Sequence, residues 1–206
     1  ALTTILAKGN LADLTFVTAA ARKMQFQFSV DVKTMSSTNQ KSSGRCWLFA
    51  ATNVLREIVA KKLNLENFEL SQSWLAFWDK FERVNAYLNA IVETADLPHD
   101  DRLVDHLVAT GVHDGGQWDM FVNIVDKYGI LPKNAYPETA QTSATGQLNR
   151  HINNYLKASV GKLRRAAAAG EDTAAMREEI LCRVFSFLCA CYGEPPETFD
   201  WEYKDK

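Results

Sequence analysis

The sequence lacks several features that would place a protein in a class at once. Its longest apolar runs, such as Val184–Cys191, are far shorter than the roughly 20 residues needed to cross a bilayer. The 23 Lys and Arg residues are balanced by 25 Asp and Glu residues, so no overall positive field favours nucleic acid or an anionic membrane. Residues 1–4 show no basic region followed by an apolar one, so no secretory signal is visible. We therefore expect a cytoplasmic protein without a membrane partner, and nucleic acid as a partner stays open.

Cysteine is scarce, with four residues in a chain of 206. Their spacing matches neither the paired cysteines of zinc sites nor the dense framework of a small disulfide-rich domain. Cys182, Cys189 and Cys191 fall in an apolar helical pattern, where a buried cysteine behaves as a small hydrophobic residue. The sequence therefore predicts no metal site, no cofactor and a protein of a reducing compartment.

The alternating pattern of β-strands is almost absent, and the predicted fold class is mainly α. Ser71 is a candidate N-cap and Gly129 a candidate helix terminator. A short helix is predicted around Leu11–Met24. Longer helices are predicted over residues 46–64, 71–94, 102–109, 118–128, 145–168 and 172–192.

A polar loop, residues 36–45, leads directly into the amphipathic helix that opens at Cys46. A nucleophilic thiol must be partly ionised at neutral pH, and the positive end of a helix favours the thiolate. Gly44 allows a close approach of the loop. Acyl transfer also needs donors for the developing oxyanion, and the Cys46 amide and the Gln40 side-chain amide are suitable in type. On spacing alone, an incidental cysteine and a solvated glutamine explain the same pattern.

The segment Ser43–Trp47, Ser-Gly-Arg-Cys-Trp, resembles the Cys-Gly-[Ser/Ala]-Cys-[Trp/Tyr] signature of papain-like peptidases. Ser43 replaces the first cysteine of that signature, which normally forms a disulfide. The longer run from Asn39 to Phe49 is similar to the loop of the bleomycin hydrolase (aminopeptidase C) group. This resemblance implies that Cys46 is the nucleophile, that Gln40 is an oxyanion donor and that Trp47 borders the bound substrate.

A second resemblance lies downstream and has the order that the same family shows. Gly115-Gly116 is followed by a predicted helix, then by Tyr128-Gly129-Ile130 and by Tyr136-Pro137. In the family, such a glycine pair lies on the wall of the cleft, and its backbone holds the main chain of the substrate. The resemblance implies the same role here, since a side chain would block an extended peptide. Taken alone, the pair is more typical of a simple turn before a helix, and only its order after the Cys46 loop favours the wall.

The resemblance also implies an organisation. Residues 1–35 would form an N-terminal arm, residues 36–140 the helical left lobe of a papain-like α+β fold, and residues 141–206 a helical insertion with the start of the next segment. In the bleomycin hydrolase group such insertions build a hexamer, so a homo-oligomer is expected. The β-rich lobe, which supplies the catalytic His and Asn, is expected to lie outside this chain. None of the four histidines matches the catalytic one: His99, His106, His113 and His151.

The implied function is that of an intracellular cysteine aminopeptidase acting on short peptides through a thioester acyl-enzyme. This chain would be its N-terminal portion, inactive alone because the imidazole partner of the thiol is missing. The alternative is a non-catalytic fragment or pseudoenzyme with a binding or assembly role. The presence of Cys46, Gln40 and the glycine pair together argues against that alternative.

Overall fold

A computed structural model of the chain describes residues 2–24 and 28–205. The chain divides into two compact units, residues 1–34 and residues 35–206. The predicted arm over residues 1–35 includes Ala1 and residues 25–27, and the predicted insertion ends at Lys206. Those three parts of the predicted arm and insertion, Ala1, residues 25–27 and Lys206, lie outside the described residues.

The described residues of the N-terminal unit form three short helices: α1 (Leu2–Lys8), α2 (Leu11–Thr15) and α3 (Thr18–Ala21). Asn10 is the N-cap of α2, and its side-chain oxygen accepts a hydrogen bond from the Ala12 amide at 2.8 Å. The sequence predicts one helix around Leu11–Met24, and this prediction is wrong in detail. Phe16 leaves the helical region with φ −68° and ψ 113°. Its β-branched neighbour Val17 further weakens helix formation, so two short helices form instead of one.

Helices α4 (Cys46–Lys62) and α5 (Gln72–Glu93) form within two residues of the predicted bounds. Ser71 is the N-cap of α5, as the sequence predicts: its hydroxyl oxygen accepts from the Trp74 amide at 3.1 Å. The same hydroxyl donates to the Tyr136 carbonyl at 2.5 Å. One side chain therefore both starts α5 and connects it to the segment around Tyr136.

Four further helices complete the second unit: α6 (Arg102–Thr110), α7 (Trp118–Tyr128), α8 (Thr145–Ala168) and α9 (Ala174–Tyr192). The Asp101 carboxylate caps α6 by accepting from the Leu103 amide at 2.8 Å. Gly129, with φ +72°, ends α7 where the sequence predicts. A glycine is suited to this position because side chains disfavour positive φ.

The core of the second unit is built around α5. This helix packs against five others: α4, α6, α7, α8 and α9. Apolar side chains at helical spacing make this possible, and Leu75, Phe77, Val84 and Leu88 are completely buried. Because α5 contacts both α4 and α7, it sets the position of the Cys46 end of α4 relative to the loop that precedes α7.

Residues 2–24 and 28–205 contain no β-strand, and one isolated antiparallel bridge joins Leu70 to Pro132. The predicted mainly helical class is confirmed for this part of the chain. Within it, no helix combines the length and the apolar character that a membrane crossing requires.

Candidate active site

Cys46 is the first residue of α4, as the sequence predicts, and its side chain is exposed. The first-turn amides of a helix have no partner within the helix and give its start a partial positive charge. Arg45, at the N-cap position, makes no side-chain cap. The thiol therefore lies at an uncapped helix start, in contact with solvent, where it is accessible to a reactant.

The loop before Cys46 is held by an ion pair between the buried Arg45 and the partly buried Glu138. The Arg45 guanidinium donates to both carboxylate oxygens of Glu138, at 3.0 and 2.8 Å. Burial raises the pKa of Glu138, but the hydrogen bonds and charge of Arg45 outweigh it and lower that pKa below its ordinary value. Arg45 Nε also donates to the Ser43 hydroxyl at 2.9 Å, which donates in turn to the Gln40 carbonyl at 2.6 Å. These bonds connect Glu138 to the backbone of Gln40.

The side chain of Gln40 is half-buried, and its Oε1 is a buried atom without a hydrogen-bond partner among the described residues. The turn beside it is unusual, since Lys41 has φ +56°. The Asn39 side chain stabilises this turn by accepting from the Lys41 amide at 2.8 Å. The backbone around Gln40 is thus well defined. An oxyanion-donor role for its side-chain amide stays a prediction.

The glycine pair lies against the nucleophile loop and Trp47. The Gly115 amide donates to the Gly44 carbonyl at 3.1 Å. Gly115 has φ +88°, so glycine is required there by the backbone. At Gly116 a Cβ would lie 2.7 Å from atoms of the Trp47 ring. The close packing on Trp47, rather than only an open path for a peptide, therefore explains the second glycine.

A cleft of about 330 Å³ opens beside this contact. Its lining is mainly apolar and comes from α4 and the start of α7: Trp47, Ala50, Ala51, Val54, Gly116, Gln117, Trp118 and Phe121. The predicted substrate-binding residues Trp47 and Gly116 thus lie together in one cleft, whereas Gly115 does not line it.

Charged side chains of α5 bind the segment that contains the glycine pair. The sequence analysis did not predict these contacts. Arg83 forms an ion pair with Asp79 at 2.8 Å, donates to the Gly115 carbonyl and lies over the Trp47 ring at 5.9 Å. Lys80 forms a second ion pair with Asp114 at 2.6 Å. The available signal was the group of charges Asp79, Lys80 and Arg83 inside an otherwise apolar helical pattern.

Asp114 is strongly stabilised as a carboxylate. Burial opposes its ionisation, but the Lys80 ammonium and the Thr145 hydroxyl at 2.7 Å lower its pKa from the ordinary 3.8 to about 2. A carboxyl whose pKa is lower in the folded state stabilises that state above its unfolded pKa. This contribution is present above pH 4 and is lost as the pH falls through about 2.

We expect Asp114→Asn to lower the free energy of unfolding at pH 7 by about 1–2 kcal/mol, once the pKa change is discounted for screening by solvent. The difference in the free energy of unfolding between the variant and the unaltered protein should become smaller as the pH falls below 4. Urea unfolding between pH 7 and pH 3 measures it. Glu179→Gln, which removes the exposed Arg183–Glu179 ion pair, is the matched control. A gap that is independent of pH would contradict this prediction.

The other three cysteines differ from the prediction in one respect. Cys189 and Cys191 are half-buried and pack against the core, as predicted, and burial raises the pKa of both thiols. Cys182 is exposed, so the prediction that it is packed is wrong. Ile180 and Val184, four residues apart on α9, define the buried face, and Cys182 lies on the opposite side.

We expect iodoacetamide to modify Cys46 first, Cys182 more slowly, and Cys189 and Cys191 last. Cys46 should react faster than Cys182 because, of these two exposed residues, only Cys46 is at a helix start. Cys189 and Cys191 should react last because burial limits access to their thiols and raises the pKa of both. Timed alkylation followed by peptide mass spectrometry gives the four rates. Equal rates at Cys46 and Cys182 would show that the helix start does not activate the thiol.

The histidines do not complete a catalytic pair in the described part of the chain. His113 is an exposed loop residue, and its carbonyl accepts from Lys80 at 3.0 Å. The hydrogen bonds within residues 2–24 and 28–205 include none between a histidine and Cys46. Over the same residues, no group of three or more His, Cys, Asp and Glu side chains is placed to hold a metal ion.

Comparison with known proteins agrees with these features. The model of the Peptidase C1-like family matches residues 1–206. Human bleomycin hydrolase is 44% identical over 204 residues, which cover 96% of this chain and 45% of that protein. Aminopeptidase C of Listeria monocytogenes is 46% identical over 179 residues, covering 87% of this chain and 41% of that protein. This chain spans less than half the length of either relative.

A solved structure is also similar. The crystal structure of PepW from Lactobacillus rhamnosis HN001 matches with a TM-score of 0.90 and 38% identity, over 99% of this chain and 46% of that one. The helical architecture and this match confirm the predicted helical lobe of a papain-like fold, and the relatives confirm the resemblance to the bleomycin hydrolase group. The chain belongs to the Peptidase C1-like family.

Proposed function

We propose that this chain is the nucleophile-bearing portion of a cysteine aminopeptidase that hydrolyses short peptides. The observation that supports this most is the exposed Cys46 thiol at the start of α4, beside a loop that is fixed to the Gly115–Gly116 segment. The similarity to proteins named bleomycin hydrolase and aminopeptidase C supports the substrate class.

In the proposed reaction, the Cys46 thiolate attacks the scissile carbonyl carbon and forms a tetrahedral oxyanion. The Cys46 amide and the Gln40 side-chain amide donate hydrogen bonds to that oxygen. The C–N bond breaks, the amine leaves with a proton from an imidazole, and a thioester remains on Cys46. Water then attacks the thioester and gives a proton to the imidazole, the C–S bond breaks, and the acid is released as the Cys46 thiolate forms again. The imidazole and the residue that orients it belong to a part of the protein outside the described residues.

The substrate lies, in this proposal, along the Gly115–Gly116 backbone, with an apolar side chain in the cleft beside Trp47. The volume of about 330 Å³ and the apolar lining of that cleft favour one side chain of moderate size. Trp118, which is 57% exposed, would form the outer border.

The proposal also covers how the protein assembles and the cellular compartment in which it works. Two apolar side chains one turn apart on α4, Val54 and Ile58, are 57% and 61% exposed. Their exposure supports the proposal that a further lobe of the protein packs here and forms the other side of the cleft. The resemblance to the bleomycin hydrolase group supports a cytoplasmic homohexamer, and light scattering of the full-length protein would measure the number of subunits.

A direct test uses the full-length protein encoded by the gene and two fluorogenic aminoacyl amides, one with a free and one with an acetylated amino group. We expect turnover of the free compound, and little of the acetylated one. An acid quench during turnover should trap an acyl group on the peptide that contains Cys46, detected by mass spectrometry. Absence of the Cys46 adduct would refute the thioester mechanism, and equal turnover of both compounds would refute the aminopeptidase assignment.

The 206-residue chain alone is expected to show no turnover that depends on Cys46. A helix start stabilises an exposed charge by only about 0.3–1 kcal/mol, and no described histidine is hydrogen-bonded to the thiol to exchange its proton. The assay is the same free aminoacyl amide, with Cys46→Ala and His113→Ala chains beside the unaltered one. Turnover that disappears in both variants would identify His113 as the missing base.

A further inference from the structure

Asp114 connects the nucleophile loop, the glycine pair and helix α5 through a set of residues that we call the Asp114 cluster: Gly44, Lys80, Asp114, Gly115 and Thr145. Its carboxylate accepts from Lys80 Nζ at 2.6 Å on Oδ1, and from the Thr145 hydroxyl at 2.7 Å and the Gly44 amide at 3.3 Å on Oδ2. One side chain thus receives donors from three separate segments.

Both polar backbone groups of Gly44 are used in this cluster. Its amide donates to Asp114 and its carbonyl accepts from the Gly115 amide at 3.1 Å. A Cβ on Gly44 would lie 2.3 Å from the Asp114 Cβ, so the two segments are as close as the backbone allows. The loop two residues before Cys46 is therefore fixed directly to the segment that forms the cleft wall.

The ion pair makes this attachment difficult to deform. Lys80 is 2% exposed, and a buried ammonium needs a charged partner and hydrogen-bond acceptors. It has both, because it donates to Asp114 and to the His113 carbonyl at 3.0 Å. Movement of the His113–Gly115 segment away from α5 would leave a buried charge without partners.

The attachment is not covalent. All four cysteines are free thiols, and Ser43 stands where the papain-like signature has a disulfide-forming cysteine. Ser43 itself bonds within the loop, to Gln40 and Arg45. The connection between the loop and the wall therefore depends on the hydrogen bonds of the Asp114 cluster.

We propose that Asp114 is a positioning residue for the peptide hydrolysis proposed above: by fixing Gly44 to Gly115, it sets the spacing between the Cys46 thiol and the wall that holds the substrate. The inference rests on the proposed function. A positioning role predicts that peptide reactions slow more than simple alkylation of Cys46, whereas general destabilisation predicts no such difference. A peptide must contact the wall and the thiol together, whereas a small alkylating reagent needs the thiol alone.

The test uses the full-length protein with Asp114→Ala and the near-isosteric Asp114→Asn. We expect kcat/KM for the free aminoacyl amide to fall about 10–100-fold, the scale of a displacement of roughly 1 Å in a reacting pair. Inactivation by a peptidyl epoxide should slow by a similar factor. Alkylation of Cys46 by iodoacetamide should change less than about threefold, since it does not use the wall. Glu179→Gln is the matched control and should change none of the three rates.

Hydrogen exchange provides a measurement that does not depend on activity. The Gly44 amide should exchange at least about tenfold faster in Asp114→Ala, because its acceptor is gone. The inference is overturned if peptide turnover is unchanged, if iodoacetamide slows as much as the peptidyl epoxide, or if neither variant folds by circular dichroism, because the cluster would then serve folding as a whole. Failure of the proposed function would give a different result. The unaltered protein would show no turnover, while the Gly44 amide would still exchange faster in Asp114→Ala.

Discussion

Cys46→Ala in the full-length protein is expected to reduce peptide-amide turnover by at least about 10⁴-fold. The nucleophile forms the covalent intermediate, so its removal ends that route instead of slowing it. Loss of a nucleophile in a hydrolase that works through an acyl-enzyme costs up to about 10⁶-fold. The measurement is initial-rate hydrolysis of the free aminoacyl amide, carried to high enzyme concentration to reach the residual rate.

Cys182→Ala is the matched control for this experiment, because Cys182 is also exposed but lies within α9. It should keep the turnover of the unaltered protein. A Cys46→Ala variant that retains more than about one hundredth of the turnover would contradict the thioester mechanism, since the oxyanion donors and substrate binding alone do not supply that much.

Gln40→Ala is expected to lower kcat by about 10²–10³-fold, which is the loss caused by removing one oxyanion donor. KM should change little, because an oxyanion donor acts mainly in the transition state. The structure adds a reason to expect a clean result. Ser43 bonds to the Gln40 backbone carbonyl, so the loop retains this bond when the side chain is shortened. Steady-state kinetics with the free aminoacyl amide separate kcat from KM.

Ser42→Ala serves as the control for Gln40→Ala. Ser42 lies in the same loop, is exposed, and is connected to Ser143 through its backbone amide rather than its side chain. It should behave as the unaltered protein. If Gln40→Ala raises KM and leaves kcat unchanged, Gln40 shapes the loop and does not bind the oxyanion.

Local patterns were sufficient to predict most helices of the second unit. The apolar spacing along α5, its Ser71 cap and the Gly129 terminator of α7 are all signals within a few residues of the element they define. Around Leu11–Met24 the same patterns failed, because α2 and α3 bury no residue and therefore have no apolar helix face to follow. Helix patterns predict structure well where tertiary burial selects them.

The candidate site was predictable only in part, for a similar reason. The placement of Cys46 at a helix start follows from the sequence that surrounds it. The attachment of the loop does not, because Glu138 and Asp114 are 93 and 70 residues from their partners Arg45 and Gly44. No local pattern indicates such a pairing. The glycine pair itself is visible in the sequence. The contact between Gly116 and Trp47 is not, because it forms only in the tertiary structure.

These long sequence separations affect when the site can form during synthesis of the protein on the ribosome. Arg45 cannot meet Glu138 until 93 further residues have been synthesised, and Gly44 waits 70 residues for Asp114. Contacts of such separation are formed late, because the intervening chain must lose its freedom first. A nascent chain that ends before Glu138 carries the thiol of Cys46 without the loop geometry that surrounds it. Synthesis itself therefore delays the maturation of the thiol site until the chain extends beyond Glu138.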